Sequence, residues 1–293
     1  MDCLHCCTDS GEKWSDELDE EEVLDFCEKI AKSKVPYVAL GGGEPLLHPQ
    51  FFEICQFFKE RGISVKVETD GHLIKREDVA RIADLNLRSI QISLDGASPE
   101  IHEKVRKGGN WGKNVETCKY LVQGGVNTEI VFTPTRLNIG DLEETIDIAA
   151  SLDASKFYTG RLMRIGRAAR NWLNLAPSKI QYEQFADVLE RKRKENEGEM
   201  DVLYYPRDVR EELRYRLEYP PASLLVLPNG KVGLFDSLPF ICGNVKKQSI
   251  PEIWNNFKKS WRMKEVTGHA KKIIDNPALG KGVKSWREVS LED

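Results

Sequence analysis

An α/β fold built on parallel strands is what this 293-residue sequence predicts, and three observations predict it. Short β-branched runs alternate with segments of helical periodicity over residues 1 to about 175. The runs recur at intervals of roughly 25 to 40 residues, which is the βα rhythm of a parallel sheet or barrel. Each run ends in glycine, hydroxyl or acidic residues, at the strand ends where such folds place their chemistry.

The elements follow in order. A first helix is predicted from Asp19, with Glu22 three positions on as a capping box. Val23, Cys27, Ile30 and Ala31 then recur at helical spacing. VPYVAL at 35–40 reads as a strand running into glycines. PQFFEICQFFKERG reads as a helix with apolar Phe51, Phe52, Cys55 and Phe58 and a stop at Gly62. ISVKVE at 63–68 alternates as a strand does, and Lys75 to Leu85 is helical. LRSIQISL at 87–94 is the third strand, and Trp111, Val115, Cys118 and Val122 mark the helix after it. NTEIVFT at 127–133, a helix from Asp141 to Leu152, and KFYTGRLM at 156–163 complete five strands. Residues 178–218 are predicted helical and heavily charged. SLLVLPNGKVGLFD at 223–236 is predicted as a hairpin turning at Asn229-Gly230, and SIPEIWNNF at 249–257 as a short helix. From Lys264 onward the chain is lysine-rich and weakly patterned.

Composition narrows the function classes. Hydrophobic residues make up 40% and charged residues 31%, an ordinary globular balance. A net charge of -4 argues against a nucleic-acid binder with a globally basic surface. No apolar run reaches the ~18 residues of a membrane span, and MDCLHCCTDSG lacks the apolar stretch of a secretory signal. Seven cysteines, an odd number, fit a reducing cytoplasm better than a disulfide framework.

Three constellations carry chemistry. Cys3-x-x-Cys6 places two thiols where one soft metal centre can be held, although a redox dithiol or two buried cysteines would share the spacing. Cys7 is expected to be a small buried residue, and Cys27, Cys55, Cys118 and Cys242 structural thiols. Gly41-Gly42-Gly43-Glu44-Pro45 directly follows a strand, so a ligand can approach the backbone, and Glu44 can accept from a cationic amine. Ser93 and Asp95 are alternate residues at a strand end and share one side of it, which suits a hydroxyl-rich ligand. Arg106 can clamp a carboxylate, and His102 is expected to be structural. Thr69-Asp70-Gly71 ends the preceding strand. Arg161, Arg164, Arg167 and Arg170 surround Gly166 and either receive an anion or face water.

Taken together, Cys-Leu-His-Cys, Gly-Gly-Glu-Pro, Thr-Asp-Gly, Ser-Leu-Asp-Gly with Arg106, and Gly166-Arg167 resemble the radical S-adenosylmethionine (SAM) superfamily. The likeness is to its peptide and cofactor maturases with a SPASM or twitch C-terminal extension. LPNGKVGLFD, Cys242-Gly243-Asn244-Val245 and Ile253-Trp254 look like such an extension. The resemblance implies a partial (β/α)6 TIM-like barrel over residues 1–200 and a small α+β extension over 201–293. It implies a [4Fe–4S] cluster on three cysteines spaced C-x3-C-x2-C, with Cys3 and Cys6 as the second and third. SAM would chelate the open iron, and an electron from a ferredoxin or flavodoxin would cleave it to a radical that abstracts hydrogen from a peptide or cofactor precursor. Gly42, Gly43 and Glu44 would hold the methionyl amine. Ser93 and Asp95 would meet the ribose with Thr69 and Asp70 close by, Arg106 would face the carboxylate, and His5 would cover the adenine.

Two departures from that pattern set further expectations. The first cluster cysteine would lie four residues before Cys3, and the first barrel strand before that. Met1 is therefore expected to be an internal methionine of a longer product, with loss of the cluster and a catalytically inactive SAM- or peptide-binding relative as the alternative. Only Cys242 lies beyond residue 118, and Asp236 stands where the hairpin would usually end in cysteine, so no conventional auxiliary cluster is expected.

Overall fold

A computed structural model describes residues 1–280 and the backbone of Arg287–Glu288. The expected tail beyond Gly280 otherwise lies outside the described residues. These residues divide into two compact units. The first comprises residues 1–5, 36–162 and 171–206; the second comprises residues 6–35, 163–170 and 207 onward.

The first unit is α/β. A two-residue ladder pairs β1 (Asp2–Cys3) antiparallel with β5 (Arg106–Lys107). Six further strands form one parallel sheet: β2 (Tyr37–Leu40), β3 (Ser64–Thr69), β4 (Ser89–Ser93), β6 (Thr128–Phe132), β7 (Lys156–Gly160) and β8 (Asp201–Tyr205). They lie in the order β2-β3-β4-β6-β7-β8, and the end strands β2 and β8 do not pair. The sheet is therefore open, a partial barrel. Five strands fall where the periodicity put them.

The sixth corrects the reading of 178–218 as helical. That stretch is a helix at Lys179–Glu195, then β8, then a helix at Val209–Glu218. Asp-Val-Leu-Tyr-Tyr is a β-branched and aromatic run. It is set off by Gly198, in the left-handed region at φ +86°, and by Pro206. The charge density of the helices on either side hides so short a run.

The sheet's two faces differ. Val65, Val67, Ile90, Ile92, Ile130, Phe132 and Phe157 share one face and are all buried. Helices Phe51–Glu60, Trp111–Gln123 and Lys179–Glu195 contact the strands they follow or precede. Each of these apolar side chains contributes about 1.5–3 kcal/mol by leaving water. On the other face many of the alternate residues are polar, interspersed with Ala39, Val131 and Leu203. Lys66 Nζ lies 2.7 Å from Glu129 Oε2 and 4.6 Å from the Tyr158 ring centroid. Gln91 Nε2 donates to the same Glu129 oxygen at 3.4 Å. A parallel sheet is ordinarily apolar on both faces, so a polar one marks the lumen side of a barrel.

The second unit packs helix Glu20–Lys32 with a four-stranded sheet: β9 (Leu225–Val226), β10 (Lys231–Phe235), β11 (Leu238–Asn244) and β12 (Arg287–Glu288). Asp19 and Glu22 form the expected capping box. The β9–β10 pair is the expected hairpin, with Gly230 at φ +79° in its turn. Its core centres on Leu213, Val232, Leu234, Phe240, Ile253, Phe257 and Trp261. The helix Ile250–Ser260 begins with a Ser249–Glu252 capping box and a proline in its first turn. Cys242 is buried there and gives its Sγ–H to Val232 O at 3.4 Å; burial pushes its thiol up to about 12. Cys27, Cys55 and Cys118 are buried as expected, and burial likewise pushes Cys118 to about 12. Cys7 departs from expectation in that the residue is exposed, with its backbone carbonyl facing Gly166, although burial around the sulfur pushes its thiol up to about 12.

Candidate functional site

The first unit gathers most of the candidate residues at the C-terminal ends of its strands. The register places Leu40 beside Val67 and Thr69 beside Ile92, so the ends of β2, β3 and β4 lie side by side. Gly42 follows β2 at φ +102°, a conformation that excludes most side chains, and Gly43 opens onto free space. The turn delivers Glu44 across to the end of β3. There it accepts from Thr69 Oγ1 at 2.7 Å, Asp70 N at 3.0 Å and Leu46 N at 3.2 Å. Asp70 Oδ1 accepts from His72 N, which fixes the second carboxylate nearby. Partial burial and the Asp70 charge push Glu44 above the ordinary carboxylate range, against those three hydrogen bonds. Two carboxylates crowded this way are relieved by a cation, and an ammonium brings N–H donors as well.

A second group forms around Asp95, which is fully buried. Oδ2 receives Arg106 Nε at 2.5 Å and His5 Nε2 at 3.2 Å, and Oδ1 accepts from Thr133 N at 2.6 Å. Burial would raise this carboxyl, but the Arg106 guanidinium and His5 outweigh it and hold it well below the usual range. Arg106 extends Nη1 to Cys3 Sγ at 3.7 Å, across the β1–β5 ladder in which Cys3 and Arg106 are direct partners. Leu4 N donates to Val105 O at 2.9 Å, and Asn171 Nδ2 to Leu4 O at 3.0 Å. His5 Nδ1 is buried without a partner. The sequence brought His5, Asp95 and Arg106 forward as separate ligand contacts; the structure joins them into one buried network with Cys3. His102 is structural: it is buried, and its Nδ1 accepts from Asp95 N at 3.1 Å. Ser93, half-buried, ends β4 with its carbonyl bonded to Asn114 Nδ2.

Asn114 and Asn138 were not visible as site residues. Asn138 Nδ2 donates to Asp95 O at 3.0 Å and to Thr133 O at 3.1 Å, so it braces the loop that carries Asp95. It is 43 residues from Asp95, and no local pattern marks it.

In the second unit the loop from Cys6 to Ser10 is held by the segment Gly166–Arg170. Gly166 has φ +57°, and a Cβ there would stand 2.5 Å from Cys6 O and closer still to Cys7 O. Arg167 N donates to Cys6 O at 2.9 Å, and its guanidinium to Ser10 O at 2.6 Å. Arg170 grips Asp9 through both carboxylate oxygens. Arg167 and Arg170 are thus engaged with the Cys6–Ser10 loop, while Arg170 stays 42% exposed. In the first unit Arg161 stacks 4.9 Å from the Tyr182 ring. Cys6 Sγ accepts from Ser10 N at 3.3 Å and shares a 3.4 Å contact with Thr8 Oγ1. Burial opposes ionisation of this thiol, but those contacts and Arg167 prevail and lower it.

Cys3 and Cys6 thus each have donors suited to a thiolate. Among the described residues, no group of three or more His, Cys, Asp and Glu side chains converges on one point. No described helix is long and apolar enough to cross a membrane.

Comparison with known proteins adds the following. The sequence model of the radical SAM superfamily matches residues 1–149. The mycofactocin maturase MftC of Mycobacterium ulcerans is 33% identical over 188 residues, 64% of this chain and 51% of the relative. The chain thus spans about half the length of that relative. The AdoMet-dependent heme synthase of Methanosarcina barkeri is 25% identical over 92% of this chain and 83% of its own. Among solved structures, Streptococcus suis SuiB bound to precursor peptide SuiA superposes with TM-score 0.69 and 12% identity, covering 91% of this chain and 62% of that one.

Proposed function

This chain belongs to the radical SAM superfamily, whose members use a [4Fe–4S] cluster and S-adenosylmethionine, and from that premise we propose an enzyme that abstracts hydrogen from a peptide or a small cofactor precursor. The observation that carries the reading is the convergence of Glu44, Thr69 and Asp70 where β2 and β3 end side by side. Glu44 and Asp70 would take the methionyl ammonium, Gly42 and Gly43 would let it approach the backbone, and Ser93 would reach the ribose. His5 would stand beside the adenine, held at its Nε2 by Asp95. Cys3 and Cys6 would supply thiolates to the cluster. When bound, that cluster supplies the electron, drawn from a ferredoxin or flavodoxin, that breaks the sulfonium S–C bond. The apolar outer face of the sheet shields the strand ends from bulk water, and the polar inner face offers hydrogen bonds to a peptide-like substrate. The relatives support a maturase: one is named a mycofactocin maturase and one structure holds a precursor peptide. Of the extension expected over 201–293, Asp201–Tyr205 is β8 of the parallel sheet, and residues from 207 onward we read as a SPASM- or twitch-like extension without cluster cysteines.

Anaerobic reconstitution with iron and sulfide, followed by dithionite and SAM, tests this reading. The expected result is a charge-transfer band near ~400 nm and 5′-deoxyadenosine as product. SAM binding without iron uptake or 5′-deoxyadenosine would instead identify an inactive relative.

A further inference from the structure

We propose that the β7–β8 side of the lumen is the subsite for an apolar side chain of a peptide substrate, with Tyr158 as its floor and Leu203 and Tyr205 as its wall. The inference deepens the functional reading above and rests on it, because it takes the methionyl ammonium to lie against Glu44 and Asp70.

Register and exposure define the wall. Tyr158 pairs with Leu203, and Gly160 with Tyr205, so these positions share the inner face. Neighbouring strands lie about 5 Å apart, close enough for their side chains to form one surface. Leu203 is 37% and Tyr205 40% exposed, although both are large and apolar. Contiguous apolar surface left open on a folded chain marks a place where something binds. Half-buried Val131, the partner of Tyr158 on β6, continues the row.

Gly160 gives this surface its depth. It is the inner position of β7 next beyond Tyr158, so no side chain of β7 stands between that ring and the strand end. A Cβ there would stand 3.0 Å from Tyr205 O and 3.2 Å from Tyr205 Cβ. Arg161 N donates to the same Tyr205 oxygen at 3.1 Å and holds the two strands together at this point.

Charge decides the occupant. The β2–β3 side of the lumen ends in three carboxylates, Glu44, Glu68 and Asp70. Toward the strand ends the β6–β8 side presents Val131, Tyr158, Gly160, Leu203 and Tyr205, all uncharged. Lys66, 4.6 Å from the Tyr158 ring centroid, is already neutralised by Glu129 at 2.7 Å. A charged side chain would lose hydration against this wall and meet no counter-charge, whereas an apolar one gains by leaving water. With the SAM ammonium on the acidic side, the substrate is left the uncharged one.

The test uses the full chain with SAM present and two capped tripeptides, Ac-Gly-Phe-Gly-NH2 and Ac-Gly-Glu-Gly-NH2. Ligand-observed NMR gives their dissociation constants. The phenylalanine probe is expected to bind at least about tenfold more tightly, and L203E to abolish that preference. L173E makes the same change at an 84% exposed leucine on the helix Trp172–Leu175, off the sheet, and is expected to keep it. Equal affinities for the two probes, or a preference that L203E leaves intact, would overturn the inference. Should L203E not fold, L203N removes the apolar wall without adding charge and is expected to narrow the preference; an undiminished preference would again overturn it. A reconstituted chain that forms no 5′-deoxyadenosine would bring down the functional reading, while the probe preference and its loss in L203E would still decide this inference.

Discussion

Cys3 and Arg106 face each other across a two-residue antiparallel ladder, with Arg106 Nη1 3.7 Å from Cys3 Sγ. The pairing ties β1 to β5, the strand that follows the helix Pro99–Val105.

Glu44 should govern SAM binding and leave the iron site intact. E44Q keeps the shape but removes the charge that an ammonium would complement. Its affinity for SAM should fall at least about tenfold, equivalent to about 1.4 kcal/mol, with unchanged iron content. Isothermal calorimetry on reconstituted protein measures the first and a ferrozine assay the second; undiminished affinity would remove Glu44 from the site.

Gly166 should be intolerant where Arg170 is forgiving. An alanine at Gly166 meets both a left-handed backbone and the carbonyls of Cys6 and Cys7. G166A should lose roughly 2 kcal/mol or more in urea unfolding. R170A removes an ion pair that is 42% exposed on the arginine side, and should lose less than about 1 kcal/mol. Equal losses would mean that the ion pair, and not the close backbone approach, holds the loop.

His102 should make the fold acid-sensitive well above the carboxylate range. Burial lowers it to about 4 from an ordinary 6.5. Between those values the unfolded chain binds a proton that the folded chain rejects. Stability is therefore full above about 6.5 and is lost as pH falls toward about 4, by about 3 kcal/mol in all. Asp95, held low, adds its own loss only below the ordinary aspartate value of 3.8, where the unfolded chain protonates first. Urea midpoints against pH should slope between 6.5 and 4 in the wild type and flatten in H102N, whose amide oxygen can still accept from Asp95 N.

Lys66 and Glu129 should behave as a buried pair. Their side chains are 12% and 5% exposed. K66M strands a carboxylate and should destabilise by about 3 kcal/mol, whereas K66M/E129L should recover most of that loss. Thermal unfolding of the four proteins of this cycle measures the coupling; additive losses would show that the two charges are independent.

What could be read in advance was local. The capping box at Asp19, the Asn229-Gly230 turn and five strands are each written within a few adjacent residues, as are the Gly42–Glu44 and Thr69–Asp70 strand ends. What escaped was distant or masked. Arg106 and Cys3 are 103 residues apart, Arg170 and Asp9 are 161 apart, and no periodicity encodes such meetings. β8 was hidden because a five-residue strand between two charged helices contributes too little pattern of its own. Cys7 was misjudged because its neighbours in sequence say nothing of which side of a turn faces the protein.

The two-faced sheet has a consequence for how this chain can change over generations. The fold draws its apolar burial from the outer face, so the inner face is largely excused from holding the protein together. Apart from Lys66, Glu129 and Gln91, its residues Tyr37, Glu68, Tyr158, Leu203 and Tyr205 are at least partly open to solvent. Mutational drift there can retune what the lumen recognises while the scaffold persists, which is the freedom a lineage needs to move from one substrate to the next.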